Sequence, residues 1–213
     1  MPAPTPSSGP ARPDRGDGVI SIHRPTGPAR AQETTSYIGM TVFVASWAML
    51  FAALFMSYAV LRIRSPMWPP LGQERLPLGL PLAATALLAL SSVALQRGLT
   101  LVRQGQTQRY LGHLLATLGL GGAFLGVQSA AWWSLWQQGL TIRSGLYGGV
   151  FYLLTCFHAL HVLVGLFFLL WLVAGARRHH DLGSKLGRLG VVTLYWHFVG
   201  VVWGVMLVAV YLI

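Results

Sequence analysis

Five stretches of this chain carry no charged side chain: residues 38–61, 78–95, 110–136, 145–175 and 189–213. Each is long enough to cross a hydrocarbon layer about 30 Å thick as a helix. A helix satisfies its own backbone hydrogen bonds in lipid, whereas a strand needs a closed sheet, so apolar stretches of this length predict helices. Proline punctuates the pattern. Pro66, Pro69 and Pro70 follow the first stretch, and Pro77 and Pro81 sit where the first turns of the second helix belong. The pattern predicts an all-α, polytopic membrane protein, a bundle of five transmembrane helices over residues 35–213. Residues 1–34 are rich in Pro, Gly, Ser and Arg and hold no apolar run, which predicts a flexible tail rather than a signal peptide.

Composition strengthens this reading. The chain is 54% hydrophobic and 9% charged, against about 25% charged in a soluble domain. The net charge of +10 does not point to nucleic acid, because the basic residues are scattered over the tail and loops instead of forming one dense segment. Their distribution instead sets the topology. Eleven of the fifteen fall on one side: Arg12, Arg15, Arg24 and Arg30 in the tail, Arg97, Arg103 and Arg109 after the second helix, and Arg177, Arg178, Lys185 and Arg188 after the fourth. Arg62, Arg64, Arg75 and Arg143 fall on the other. The positive-inside rule then places the amino terminus in the cytoplasm and the carboxyl terminus outside. Trp132, Trp133 and Trp136 mark the outer end of the third helix as an aromatic belt.

Candidate chemistry is thin. Cys156 is the one cysteine, which excludes an internal disulfide and a cysteine-cluster metal site; it reads as a small packed core residue. The acidic residues Asp14, Asp17, Glu33, Glu74 and Asp181 all lie outside the spans. Proton relays and ion-coupled transport usually need carboxylates within them. Among the histidines, His158 and His161 are three apart on the fourth helix and are expected to share a face. His113 lies near the start of the third helix and His197 about two turns into the fifth. Either of His158 and His161 could join His197 as axial ligands of a b-type haem. The commoner role for such residues is hydrogen bonding between helices, and contact with a lipid or quinone headgroup is a third. Arg62, at the end of the first helix, is placed for a phospholipid phosphate or is an ordinary flanking charge. The pairs Gly122/Gly126, Gly145/Gly149 and Gly200/Gly204 suggest close helix contacts.

Four segments carry a resemblance. Residues 151–162, FYLLTCFHALHV, resemble the F-x-x-x-T-G-F-H-G-L-H-V helix of cytochrome oxidase subunit III, and residues 195–203, YWHFVGVVW, resemble its Y-W-H-F-V-D-V-V-W. Residues 45–55, ASWAMLFAALF, are similar to A-S-E-V-M-L-F-A-A-L-F, and 124–128, FLGVQ, followed by Trp132, supply a fourth match. Order and spacing agree from Tyr37 to the end, and five helices correspond to the short bacterial form. The resemblance implies a non-catalytic subunit of a haem–copper terminal oxidase in the bacterial inner membrane. It implies direct contact with subunit I, with subunit II elsewhere in the complex. Haem and copper would lie in the partner subunits, with no cofactor in this chain. Phospholipid would lie in a cleft, expected between helices one–two and helices three–five, with Arg62 or His197 near the headgroup. His158, His161 and Trp196 are the further candidates for structural or lipid contact. Four positions where the family usually carries a carboxylate are here Trp47, Ala131, Gly190 and Gly200. A subunit-III-like accessory protein of a nitric oxide reductase shares these motifs, and a stand-alone haem or quinone enzyme is the alternative of another class.

Overall fold

The charge-free stretches all fold as helices in the computed structural model, which describes residues 28–66, 78–106, 109–175 and 182–212. They are α1 (Pro28–Arg64), α2 (Gly79–Arg103), α3 (Tyr110–Gln137), α4 (Leu146–Gly175) and α5 (Leu182–Met206). A π-helical segment, Leu207–Leu212, continues α5. All five are long and apolar enough to cross a membrane. Residues 1–27 of the expected tail, together with Pro69, Pro70, Pro77, Glu74 and Asp181, lie outside the described residues. Pro81 occupies the first turn of α2 and is buried there.

Glycine closes α2 and α3 in the same way. Gly105 and Gly139 take left-handed φ values of 77° and 85° just past the helix ends, a conformation that costs other residues more. The chain then turns back on itself. The amides of Gln106 and Leu140 donate to the carbonyls of Leu101 and Leu135 at 2.9 and 3.0 Å, which satisfies orphan carbonyls at the helix end.

Which helices meet was not legible from their order. α2 lies along α3 and also against α5; α4 lies on both α3 and α5, and α1 rests on α5. The expected separation of helices one–two from helices three–five is therefore absent: α2 belongs to the same packed group as α3 and α5. Helix α1 is the least enclosed, with Met49, Met56 and Ile63 at 76%, 66% and 83% exposure. Such apolar side chains need lipid or a partner around them.

One side chain explains much of the packing. Trp196 of α5 is fully buried and lies over Gly121 of α3 and Gly165 of α4. A Cβ at either glycine would come within 2.8 Å of the indole. Gly121 and Gly165 admit close approach, as do Gly98 against His113 and Gly190 against Tyr37, whereas the expected pairs do not. Gly122 and Gly126 have nothing within 4 Å of an added Cβ, nor has Gly204. Gly148 and Gly149 pack against the backbone carbonyls of Thr141 and Ile142, which closes the loop before α4. Cys156 also departs from expectation: it is exposed on the outside of α4 and is not a core residue.

Candidate functional site

Buried polar groups in this bundle are tied mainly by tryptophan, tyrosine and hydroxyl side chains, because an indole or phenol buries a large apolar body and still donates one hydrogen bond. Trp196 Nε1 donates to Ser91 Oγ of α2 at 3.0 Å. Trp203 Nε1 donates to Thr85 Oγ1 at 2.9 Å, and Trp132 Nε1 to Thr155 Oγ1 at 3.1 Å. Tyr195 Oη donates to the His161 carbonyl at 3.0 Å, and Tyr152 Oη to the Leu140 carbonyl at 2.8 Å. These bonds join α2 to α5, α3 to α4, and α4 to α5. Trp132 therefore turns inward, while Trp133 and Trp136 stay outside at 62% and 63% exposure, as a belt requires.

Of His158, His161 and His197, only the last hydrogen-bonds through its ring to another helix among the described residues. His158 is 1% exposed, yet neither ring nitrogen has a hydrogen-bond partner among the described residues. Its ring packs edge-on to Phe124 at 5.8 Å and tilted on Trp203 at 5.3 Å. His161 turns to α1. Its ring lies 4.2 Å from that of Trp47 and 5.0 Å from that of Phe51. Nδ1 of His161 donates to its own helix at the Phe157 carbonyl, 2.6 Å away. Nε2 is buried without a partner among the described residues. His197 lies elsewhere again, bonded to Gln96 Oε1 of α2 at 3.2 Å. The three rings face three different neighbours, so the arrangement brings no two of them to a common ligand. Among the described residues, no three His, Cys, Asp or Glu side chains group as a metal site would require. His113 Nδ1 donates to the Arg109 carbonyl at 3.2 Å.

The four positions discussed above are each filled differently. Trp47 packs on His161. At Gly190 the Tyr37 hydroxyl occupies the space a side chain would take. Ala131 is 6% exposed and lines a small cavity with Leu80, Pro81, Ser134, Leu135 and Tyr211. Gly200 faces Ser92, whose Oγ would lie 3.7 Å from an added Cβ. Arg62 is half-buried at the end of α1, close enough to act electrostatically on Tyr147, as does Tyr58.

Sequence reasoning singled out neither Ser91, Thr85 and Thr155 nor Gln128, buried to 2% exposure. The available signal was position: Ser91 falls on the stripe Ala84, Leu88, Ser91, Leu95 that α2 buries.

A five-helix membrane bundle whose interior is bonded by aromatic and hydroxyl groups, with its histidines dispersed, has the form of a structural membrane subunit. Comparison with known proteins says which. The family model for cytochrome c oxidase subunit III matches residues 29–213. The cytochrome c oxidase subunit 3 of Thermostichus vulcanus is 30% identical over 83% of this chain and 86% of its own length. That of Synechocystis is 34% identical over 82% and 74% respectively. A probable cytochrome c oxidase subunit 3 of Nocardia farcinica is 34% identical over 78% and 82%. The chain belongs to the cytochrome c oxidase subunit III family.

Proposed function

We propose that this chain serves as the non-catalytic subunit III of a bacterial haem–copper terminal oxidase, acting as scaffold and lipid holder for the complex that reduces oxygen to water. The observation that carries the reading is the family match over residues 29–213, joined to an interior devoted to packing. The large buried groups Trp196, Trp203, Tyr195, Phe124 and Phe151 fill the bundle. Haem and copper belong to the partner subunits, and subunit I is the direct neighbour. The tail and the loops after α2 and α4 carry the excess of Arg and Lys, which supports a cytoplasmic amino terminus and an external carboxyl terminus in the inner membrane.

Phospholipid finds its best place along α1, not in a cleft before α3. That helix is the least enclosed, and its half-buried Arg62 can meet a phosphate at the outer boundary. The test is purification in mild detergent through a tag on this chain. The expected result is co-elution of larger subunits carrying haem and copper, with phospholipid retained after delipidating washes. Elution of this chain alone, or with a partner that lacks haem, overturns the proposal.

A further inference from the structure

We propose that the bundle binds one structural water molecule between the Gln128 amide of α3 and the Tyr211 hydroxyl at the end of the chain, at the inner end of the cavity beside Ala131.

Two buried polar groups meet there without bonding each other. Gln128 is 2% exposed, and its amide nitrogen has no hydrogen-bond partner among the described residues. The Tyr211 hydroxyl is buried in the same condition. Gln128 lies beside that hydroxyl, outside the geometry of a hydrogen bond. An unmet donor is costly in an interior that lipid surrounds. A water molecule serves both groups at once, accepting from the amide and exchanging a bond with the phenol.

The backbone brings Tyr211 to this place. In an unbroken α-helix it would point about 80° away from Trp203, about two turns earlier. The π-helical segment Leu207–Leu212 holds more residues per turn and swings it back. The Tyr211 ring thus lies 6.5 Å from that of Trp203 and 5.9 Å from that of Phe151, facing the core. π-helical turns are rare and recur where a particular side chain must be placed.

Space and access fit the same ligand. Tyr211 lines the cavity with Pro81, Ala131 and Ser134, and the cavity has a volume of about 10 Å³. That is the least space that holds a water, about 10–15 Å³, and it is too small for a lipid or an organic ligand. Ala131 follows Gln128 by one turn on the stripe that α3 buries. The Ser134 hydroxyl accepts from Gln138 at 3.1 Å and keeps its own proton to donate. Trp133 and Trp136, exposed on the outward side of the same turns, mark the membrane boundary, so bulk water is close.

The test combines a map with two variants of the intact complex, purified through this chain. Electron cryomicroscopy at a resolution that shows ordered water is expected to reveal a density peak within hydrogen-bond distance of both the Gln128 amide and Tyr211 Oη. A direct bond between the two side chains, or no peak between them, overturns the proposal. Gln128→Leu and Tyr211→Phe each strip one partner from the water. Each is expected to lower the melting midpoint by about 2–4 °C, and the double variant to fall little further than either. A midpoint that holds or rises in either single variant identifies a group that bonds no water and overturns the site. Losses that add in full show that the two groups share no ligand, with the same consequence.

Discussion

At the scale of single residues, His158 separates packing from hydrogen bonding. It has no hydrogen-bond partner among the described residues, and its ring fills the space between Phe124 and Trp203. His158→Ala is therefore expected to lower stability by about 2–4 kcal/mol through the cavity it leaves. His158→Met comes close to the volume, removes two buried unpaired nitrogens, and is expected to cost less than about 1.5 kcal/mol. Thermal melts of the purified complex distinguish the two; a loss for Met as large as that for Ala would mean that the imidazole has a polar partner. A second prediction concerns carboxyl chemistry. Trp47, Ala131, Gly190 and Gly200 have no ionisable group, and the acidic residues lie outside the spans. Carbodiimide treatment followed by peptide mapping is expected to find no modified residue within the five spans. The motif around His158 was legible in the sequence, but its role was not. Spacing placed His158 and His161 on one helix, whereas the rings diverge because one meets α3 and α5 and the other meets α1.

At the scale of helices, the spans were readable because a charge is expensive in lipid, so charge-free runs mark membrane crossings with little ambiguity. Helix partners were less readable, because every face of such a helix is apolar and hydrophobic pattern no longer separates core from surface. The glycines show this. Gly122 and Gly126 have the spacing of a contact motif and face outward; Gly121 and Gly165 lack it and face Trp196. What makes a glycine structural here is the indole opposite it. Gly165→Ala and Gly121→Ala are each expected to destabilise the bundle by about 1–3 kcal/mol, since a methyl group must displace the ring. Gly122→Ala, with open space around it, is expected to change stability by less than about 1 kcal/mol. Trp196→Phe removes the bond to Ser91, which in membrane contributes about 0.6 kcal/mol and at most about 2. Unfolding in denaturing detergent ranks these variants, and an equal response of Gly121 and Gly122 would contradict the packing described.

At the scale of the molecule, the interior is committed to holding helices together. Aromatic side chains fill it, indole and phenol groups bond across it, and no trio of ligating side chains groups among the described residues. Under the proposed function the chain is a membrane scaffold, and its contribution to oxygen reduction runs through its partner subunits. The most direct measurement is to strip this subunit from the purified oxidase with a stronger detergent and count haem and copper in both fractions. All haem and copper are expected to stay with the remaining subunits, the released chain to carry none, and initial turnover per haem to change little. Haem or copper leaving in stoichiometric amount with this chain would contradict the proposed function.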